Sequence, residues 1–262
     1  MTIVVRIAED SDIQQIIDLF CESGENPYQW TPEKWKHYYR NYPEGDAVSL
    51  VATLNEAVVG HYGLLPVNIG EIPAMMGLHA YVARAQRGLT VISALMKEVD
   101  RICQSTNVGL ICGFANPQFS LIKTKIFKWR TVCWLAFKNG LTEQDLKIKS
   151  SKKFYFSYSN EWFDWRFGKQ LDTYVSVYCD SNKNNHIQLL KYRSEVPLAG
   201  DLNLELWSPQ ATYPVNQTHF FCQPFSIKVY DPKLVDEGIF DSEHWSIDMG
   251  DSDTFQYSPK ES

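Results

Sequence analysis

The fold of this chain is decided by the stretch Tyr81-Val82-Ala83-Arg84-Ala85-Gln86-Arg87-Gly88-Leu89-Thr90, which runs from an apolar strand pattern directly into a helical one. Apolar residues then recur at helical spacing over residues 91–102, which places one stripe against a sheet. The first turn of such a helix carries N–H groups without intrahelical partners and the positive end of the helix dipole, so it suits a phosphate. The stretch therefore predicts a nucleotide or coenzyme site, with a simple reversal of the chain as the alternative.

The composition is that of a globular protein. The chain has 262 residues, 44% of them hydrophobic and 21% charged, which is enough for one large domain or two. Its net charge of -6 argues against a nucleic-acid partner, because neutralising phosphates requires a surplus of Lys and Arg. No run reaches the roughly 18 apolar residues of a transmembrane helix, and residues 1–6 do not open a secretory signal. We therefore expect a cytoplasmic protein without a membrane span.

The metal-binding residue types are spread along the chain. Its six cysteines form no Cys-x-x-Cys pair and accompany no histidine cluster, a pattern typical of reduced thiols rather than of a zinc site. Asp248, Asp251 and Asp253 lack the glycine and the distal glutamate of a calcium-binding loop. We therefore expect no metal site.

The hydrophobic pattern predicts an α/β fold, with a mixed sheet flanked by helices. Predicted strands cover residues 3–7, 48–54, 57–67, 76–82 and 108–114, and predicted helices end at residue 20, span residues 32–42 and begin at residue 90. Asn55-Glu56 supplies the turn of a hairpin, and Gly60 and Gly63 in its second strand indicate a bulge or a close neighbour.

Motifs placed along this order of elements resemble a known family. They are Val51-Ala52 with Val58-Val59-Gly60-His61-Tyr62, Arg87-Gly88 with Leu95, and Gly113-Phe114-Ala115-Asn116-Pro117 with Phe127-Lys128-Trp129. Through them the first half of the chain resembles the GNAT superfamily of acyl-CoA-dependent N-acetyltransferases. The resemblance implies a lobe that binds acetyl-CoA and transfers the acetyl group to a primary amine.

The second half carries a less specific resemblance. Residues 162–167 and 245–253 resemble a two-lobed GNAT subgroup often encoded with surface-polysaccharide genes. This implies an acyl-CoA-binding domain over residues 1–145 and a diverged GNAT-like α+β lobe over residues 146–262, joined near residues 141–153. Strand patterns at residues 174–179, 187–192, 202–207 and 220–230 predict a small separate sheet for that lobe. We assign the aromatic residues of 154–167 to core packing, with stacking on sugar rings as the alternative.

The resemblance implies a set of coenzyme-binding residues. Main-chain groups of Tyr81 and Val82, at a splay between two central strands, would hold the pantetheine and polarise the acetyl carbonyl. Asn116 would hydrogen-bond the pantetheine arm, or else serve as a turn residue before Pro117. Backbone N–H groups at the helix start would hold the pyrophosphate, and they belong to Arg87, Gly88, Leu89, Thr90, Val91 and Ile92.

Three positions depart from the family pattern. The family has small residues where this chain has Thr90 and Ile92, so Ile92 is expected to place a β-branched side chain near the phosphate. The Thr90 hydroxyl is expected to cap the helix or to reach a phosphate oxygen. Thr124 lies where many members have a tyrosine that protonates the departing thiolate, and its hydroxyl is far less acidic than a phenol. Coenzyme affinity and the identity of the acid are therefore open.

The base that deprotonates the amine is sought near the predicted splay. His79 is the first candidate, because imidazole titrates near neutral pH and this residue lies on the strand that leads to the coenzyme turn. His61 and Glu71 are further candidates, and the alternative for either histidine is a place in the core. Tyr62 and Tyr81 are candidate replacements for the missing acid.

Two functions from different classes remain open. The first is an N-acetyltransferase that acts on a small-molecule amine, with an amino sugar or a nucleotide sugar as the first acceptor class and peptide amines as a further option. The second is a catalytically degenerate GNAT scaffold that binds a partner or ligand, for which the residues at positions 90, 92 and 124 argue. The sequence does not disclose the oligomeric state.

Overall fold

A computed structural model of the chain describes residues 2–22, 30–139, 152–167, 178–179, 186–187, 202–207 and 219–247. The helices are α1 (Ile13–Glu22), α2 (Pro32–Tyr39), α3 (Leu89–Ser105), α4 (Pro117–Ile126), α5 (Asn160–Phe167) and α6 (Lys233–Asp236). The first strands are β1 (Val4–Ile7), β2 (Val48–Leu54), β3 (Ala57–Ile69), β4 (Ile72–Val82), β5 (Leu110–Phe114) and β6 (Arg130–Asn139). They are followed by β7 (Phe154–Ser157), β8 (Tyr178–Cys179), β9 (His186–Ile187), β10 (Leu202–Trp207), β11 (His219–Val229) and β12 (Trp245–Ser246).

The central sheet is mixed and has the strand order β1-β2-β3-β4-β5-β11-β6-β10. Strands β4 and β5 are parallel, and every other neighbouring pair on this path is antiparallel. Strand β7 pairs with the end of β3 and with β12. A parallel pair requires a crossover, which α3 supplies. The predicted α/β class with a mixed sheet flanked by helices is confirmed.

Strands from the last third of the chain complete this sheet. Strand β11 lies between β5 and β6, and β10 forms an edge beside β6. Both were predicted to belong to a separate second sheet, and that prediction is wrong for them, because they pair with strands of the first half. The expected boundary at residue 145 therefore does not divide the central sheet. Most of the predicted linker (141–151) and the aspartates at 248–253 lie outside the described residues.

Helices cover both faces of the sheet because strand residues alternate between two apolar clusters. Leu65 packs in the cluster that contains the side chains of α1 and α2, whereas the preceding residue, Leu64, packs in the cluster that contains α3. A third cluster surrounds β5, β6 and β11 and takes in Phe154 and Trp245 from the second half. Phe154, Phe156 and Trp162 are buried, which confirms core packing for these members of the aromatic stretch.

The parallel pair separates along its length. Pairing between β4 and β5 is confined to Ala74, Met75 and Met76, opposite residues 110–112. Strand β4 then continues to Val82 and β5 to Phe114 without pairing to each other. We use the name β4–β5 opening for the region where residues 77–82 of β4 and residues 113–114 of β5 no longer pair with each other. It lies where the family resemblance implies a splay, and β4 leads from it to the start of α3.

Glycine at position 60 allows α3 to approach the sheet. A Cβ atom there would lie 2.6 Å from Val91 Cγ1 and 3.1 Å from Leu95 Cδ1. We therefore expect Gly60→Ala to destabilise the protein by about 2 kcal/mol, because a packed core responds to an added methyl by strain. Chemical denaturation measures the effect. The matched double variant with Val91→Ala should cost less than the sum of the two single variants, and additive costs would contradict this packing.

Candidate functional site

The turn that precedes α3 presents an open helix N-terminus. Gly88 is the N-cap, with φ 153° and ψ -169°, a conformation that disfavours any side chain. No side chain of the described residues makes a capping hydrogen bond at this end. Arg87, Gly88 and Thr90 are exposed, and Leu89 is 51% exposed. The first N–H groups of a 17-residue helix are thus available to an anion from solvent.

The side chains of the first turn divide between solvent and core. Val91 and Ile92 are buried, with Ile92 6% exposed, and both belong to the apolar cluster on the α3 face of the sheet. The β-branched side chain of Ile92 therefore packs into the core rather than lying on the exposed surface of the turn. Thr90 lies at the second helical position, so it is not the helix cap.

Tyr81 and Val82 lie at the end of β4, beside the opening. They pair with His61 and Gly60 of β3 on one side, while the ladder to β5 has already ended. The Tyr81 ring centroid is 4.5 Å from that of Phe20 in α1, which places this ring on the α1–α2 face. The predicted main-chain role of both residues is compatible with this placement, since no strand in the described part of the chain pairs with the β5 side of β4 at these two residues.

A bulge in β4 brings His79 to the site. Residues 79 and 80 face the single residue Tyr62, and His79 has φ 49°, in the left-handed region. Its ring lies against Trp30 and Tyr38, with centroids 4.7 and 5.0 Å away. Tyr39 Oη is 2.8 Å from its Nδ1. Such strain in a non-glycine residue persists only where its surroundings hold it, and it occurs often at functional sites.

His61 is a structural histidine. Its Nδ1 donates to the His79 carbonyl oxygen at 2.7 Å, and its Nε2 then accepts from the Ser49 hydroxyl at 2.8 Å. The side chain is fully buried, and burial lowers its pKa to about 4. Both ring nitrogens are occupied, so the core alternative fits His61 better than the role of base. Its bond to the His79 carbonyl instead stabilises the bulge.

The surroundings of His79 favour its neutral form. Burial lowers its pKa well below the usual 6.5, and the positive charges of Lys34 and Arg166 act in the same direction. Arg166 is a buried cation of α5 that donates to Tyr38 Oη at 3.3 Å, and burial lowers the pKa of Lys34 to about 8. His79 is therefore an unprotonated imidazole at neutral pH, in a positively charged environment. No sequence pattern marked Arg166 as a site residue, because it lies among aromatic residues.

Three other expected residues make local hydrogen bonds or lie away from the opening. Asn116 is the N-cap of α4, where its Oδ1 accepts from the Phe119 N–H at 2.8 Å, as the turn alternative predicts. Thr124 Oγ1 donates to the Leu121 carbonyl at 3.0 Å. Glu71 lies in the turn before β4, at the opposite end of that strand from His79. The structure therefore does not bring Glu71 to the opening.

Two buried polar side chains reach the opening from the α3–α4 face. Tyr62, which the sequence had named, is 1% exposed and packs with α3. Lys123 of α4 is also 1% exposed, which was not predictable from the sequence because lysine in an amphipathic helix ordinarily takes an exposed position. Among the described residues, no group of His, Cys, Asp and Glu is arranged to hold a metal ion.

The hydrogen bond between Tyr39 and His79 should contribute measurably to the stability of the folded protein. Tyr39→Phe should cost about 1 kcal/mol of stability, because it leaves a partly buried imidazole nitrogen without this hydrogen bond. It should also move the ¹⁵N resonance of His79 Nδ1. Tyr155→Phe, at an exposed position, is the matched control for the loss of a phenol oxygen. An unchanged His79 resonance in Tyr39→Phe would contradict the assigned contact.

Comparison with solved structures identifies the fold. The chain is similar to a conserved protein from Enterococcus faecalis V583 described as a probable N-acyltransferase, with 10% identity, a TM-score of 0.57, and 88% of this chain and 73% of the other covered. It is equally similar to a GCN5-related N-acetyltransferase from Kribbella flavida, with 10% identity, a TM-score of 0.57, and 88% and 71% covered. The fold is that of the GNAT acetyltransferases.

Comparison by sequence assigns the chain to no known family. No protein-family model matches the chain, and no curated protein matches it by sequence. At 10% identity the structural likeness shows the fold alone. No helix in the described ranges is both long and apolar enough to cross a membrane.

Proposed function

We propose that this protein is an acyl-CoA-dependent N-acetyltransferase that moves an acetyl group from acetyl-CoA to a primary amine by direct attack. The observation that carries the proposal is the β4–β5 opening, which leads along Tyr81 and Val82 to the uncapped, exposed start of α3. A strand edge without a ladder partner suits an extended amide-containing chain, and an open helix N-terminus suits a pyrophosphate. Pantetheine diphosphate joins these two chemical groups in one molecule.

The first turn of α3 would hold the pyrophosphate. Backbone N–H groups from Gly88 to Ile92 would donate to phosphate oxygens, with the exposed Arg87 guanidinium beside them. The side chains of Val91 and Ile92 remain in the core, so they do not obstruct this approach. Main-chain groups of Tyr81 and Val82 would hold the pantetheine amides and polarise the acetyl carbonyl. Asn116 stays a weaker candidate for a pantetheine contact, because its Oδ1 already caps α4.

His79 is the proposed base on the amine side. It is unprotonated at neutral pH, its ring is oriented by Tyr39, and it lies in the same strand as Tyr81. As the amine nitrogen bonds to the acetyl carbon, its proton passes to His79 Nε2 or to water, and the C–S bond breaks. His61 supports this geometry through the His79 carbonyl and takes no proton.

We infer a negatively charged acceptor class. Lys34 and Arg166 both act electrostatically on His79, so two positively charged side chains lie near the proposed base. A nucleotide-linked amino sugar combines a primary amine with phosphates that such an environment favours. The resemblance of the whole chain to the polysaccharide-associated two-lobed subgroup supports the same class. Cytoplasmic location is part of this proposal, since nucleotide sugars and acetyl-CoA are supplied there.

The second candidate function is a GNAT scaffold without catalysis. Two residues favour this candidate. The Thr124 hydroxyl is used in a hydrogen bond within α4, and the Asn116 side chain is used to cap the start of α4. This candidate predicts that substitution of Arg87 or Asn116 leaves the biological function intact. It also predicts no release of thiol from acetyl-CoA with any amine.

Calorimetric titration with acetyl-CoA tests the proposal. We expect saturable binding that weakens by about tenfold in Arg87→Ala, because one charge-assisted bond to a phosphate is removed. Arg84→Ala is the matched control. Arg84 is an exposed arginine of the same segment, but it precedes the backbone N–H groups that would hold the pyrophosphate. Thiol release from acetyl-CoA is then measured with amino sugars, nucleotide amino sugars and peptides. Absence of binding in the wild-type protein would overturn the proposal.

A further inference from the structure

Gln223 of β11 is a buried polar side chain whose oxygen lacks a hydrogen bond. The residue is 8% exposed, and its Oε1 accepts no hydrogen bond from the described residues. A buried carboxamide oxygen without a donor lowers stability, because burial has removed its bonds to water. An apolar side chain of similar length would occupy the same position without that cost. The oxygen therefore indicates a donor that arrives with a ligand.

The position of Gln223 is set by the end of the ladder between β5 and β11. The last paired residues are Phe114 of β5 and Phe225 of β11. The Pro224 carbonyl oxygen then accepts from the Ala115 N–H at 3.4 Å. The nitrogen of Pro224 faces the same side as its carbonyl and has no hydrogen to donate, so the ladder ends there as the chain leaves β5 for α4. Gln223 therefore lies beside the carboxyl end of β5, at the same end of the sheet as the β4–β5 opening.

Gln223 and His79 lie on the same face of the sheet. Gln223 pairs with Leu135 of β6, and the side chains of paired residues share a face. Leu135 belongs to the apolar cluster around β5, β6 and β11. That cluster also contains Val67 of β3, whereas Leu65, two residues earlier on the same face, belongs to the cluster of α1 and α2. The ring of His79 packs against aromatic members of this second cluster. One face therefore carries both the proposed base and the unpaired oxygen.

Gln223 is separated from the proposed base by the width of two strands. Strand β5 lies between β4 and β11 in the sheet. Neighbouring strands are about 4.8 Å apart, so the backbones of β4 and β11 are roughly 10 Å apart where the sheet is paired. A group that bonds to Gln223 is therefore not the reacting amine beside His79 but a group farther along the acceptor. An uncharged carboxamide oxygen in a buried position matches a neutral donor, which is a hydroxyl or an amide N–H.

We infer that Gln223 determines acceptor specificity by accepting a hydrogen bond, through Oε1, from a hydroxyl or an amide N–H of the acceptor. The inference rests on the proposed function, which places the acceptor amine beside His79. An acceptor with such a donor restores the bond that burial removed, whereas an amine without one leaves the oxygen unpaired in the complex. Amino sugars supply hydroxyls and peptides supply amide N–H groups, so both classes fit this position and simple alkyl amines do not.

The stability of Gln223→Met in the absence of ligand provides the first test. Methionine matches glutamine in length and removes both polar atoms of the side chain. The variant should unfold at the same urea concentration as the wild-type protein or at a higher one, because no hydrogen bond within the protein is lost. Gln104→Met, at an exposed position of α3, is the matched control. A lower midpoint than that of the control, or failure to fold, would show that the protein itself uses the carboxamide and would overturn the inference.

Thiol release from acetyl-CoA provides the second test, with glucosamine, a nucleotide amino sugar, glycylglycinamide and cyclohexylamine as acceptors. Cyclohexylamine has neither a hydroxyl nor an amide. The wild-type protein should have a kcat/KM at least about tenfold higher for the sugars or for the peptide than for cyclohexylamine, and the preferred class identifies the donor. Gln223→Met should lose this preference through a higher KM, with kcat/KM for cyclohexylamine and the affinity for acetyl-CoA unchanged.

The outcomes separate this inference from the proposed function. Absence of a preference in the wild-type protein, or an undiminished preference in Gln223→Met, would overturn the inference and leave the proposed function standing. An equal loss of kcat/KM for all acceptors would also overturn it, because the residue would then act on the opening rather than on the acceptor. No thiol release with any acceptor would overturn both.

Discussion

Acidification from about pH 6.5 to about pH 4 should destabilise this protein by about 3 kcal/mol through His61 alone. The unfolded chain takes up a proton near the usual histidine pKa of 6.5, whereas burial lowers the folded-state pKa to about 4. Between these values the unfolded state binds more protons, so stability rises with pH. The contribution is fully present above about pH 6.5 and is lost as the pH falls. His79, whose pKa is also lowered, acts in the same direction.

Urea denaturation measured at a series of pH values tests this dependence. His61→Gln should flatten the curve, because a side chain that does not titrate replaces the buried imidazole. His244→Gln is the matched control, because the ring of His244 is 45% exposed. A His61→Gln curve with the wild-type slope would show that another group causes the acid sensitivity. That result would also argue against the two hydrogen bonds assigned to His61, one from the Ser49 hydroxyl and one to the His79 carbonyl.

Gly113→Ala should cost about 3 kcal/mol and should also impair coenzyme binding. The added Cβ would lie 2.8 Å from the Gly77 carbonyl oxygen and 3.2 Å from Lys123 Nζ. The first contact is with backbone, which cannot move aside as the end of a side chain can. Strand β4 must shift relative to β5, and the shift alters the opening where the thioester would lie.

Gly60→Ala provides the comparison for this variant. Its Cβ would meet the side chains of Val91 and Leu95 rather than backbone, so strain can be relieved by rotation of those side chains. Denaturation should show the larger loss for Gly113→Ala, and titration with acetyl-CoA should show the larger loss of affinity for the same variant. A smaller cost at Gly113 would contradict the geometry of the opening.

Local patterns predicted the first half of the fold well. Asn55 and Glu56 both have positive φ, as a two-residue hairpin turn requires, and Gly60 and Gly63 have the close neighbours that were expected. All residues of β5 are buried, in agreement with its continuous apolar run. These features depend on residues that are near in sequence, so alternation and turn chemistry are sufficient to identify them.

Long-range pairing was not predictable in the same way. The alternation of β11 fits any sheet with an apolar face, and nothing in it specifies β5 and β6 as its neighbours. The burial of Lys123 depends on the glycine at position 113, ten residues away, and on Trp129. The bond between Tyr39 and His79 joins residues 40 positions apart. Each of these contacts is set by tertiary packing, which overrides the local tendency of the residue.

The most direct test of the proposed site is a backbone amide NMR titration with coenzyme A, using protein labelled with ¹⁵N in leucine and valine. We expect the amide resonances of Leu89, Val91 and Val82 to shift strongly and in proportion to one another. Leu54 and Val108, which are not in the proposed site, provide internal controls. Shifts at the controls but not at Leu89 and Val91 would place the coenzyme elsewhere and contradict the proposed role of the α3 N-terminus.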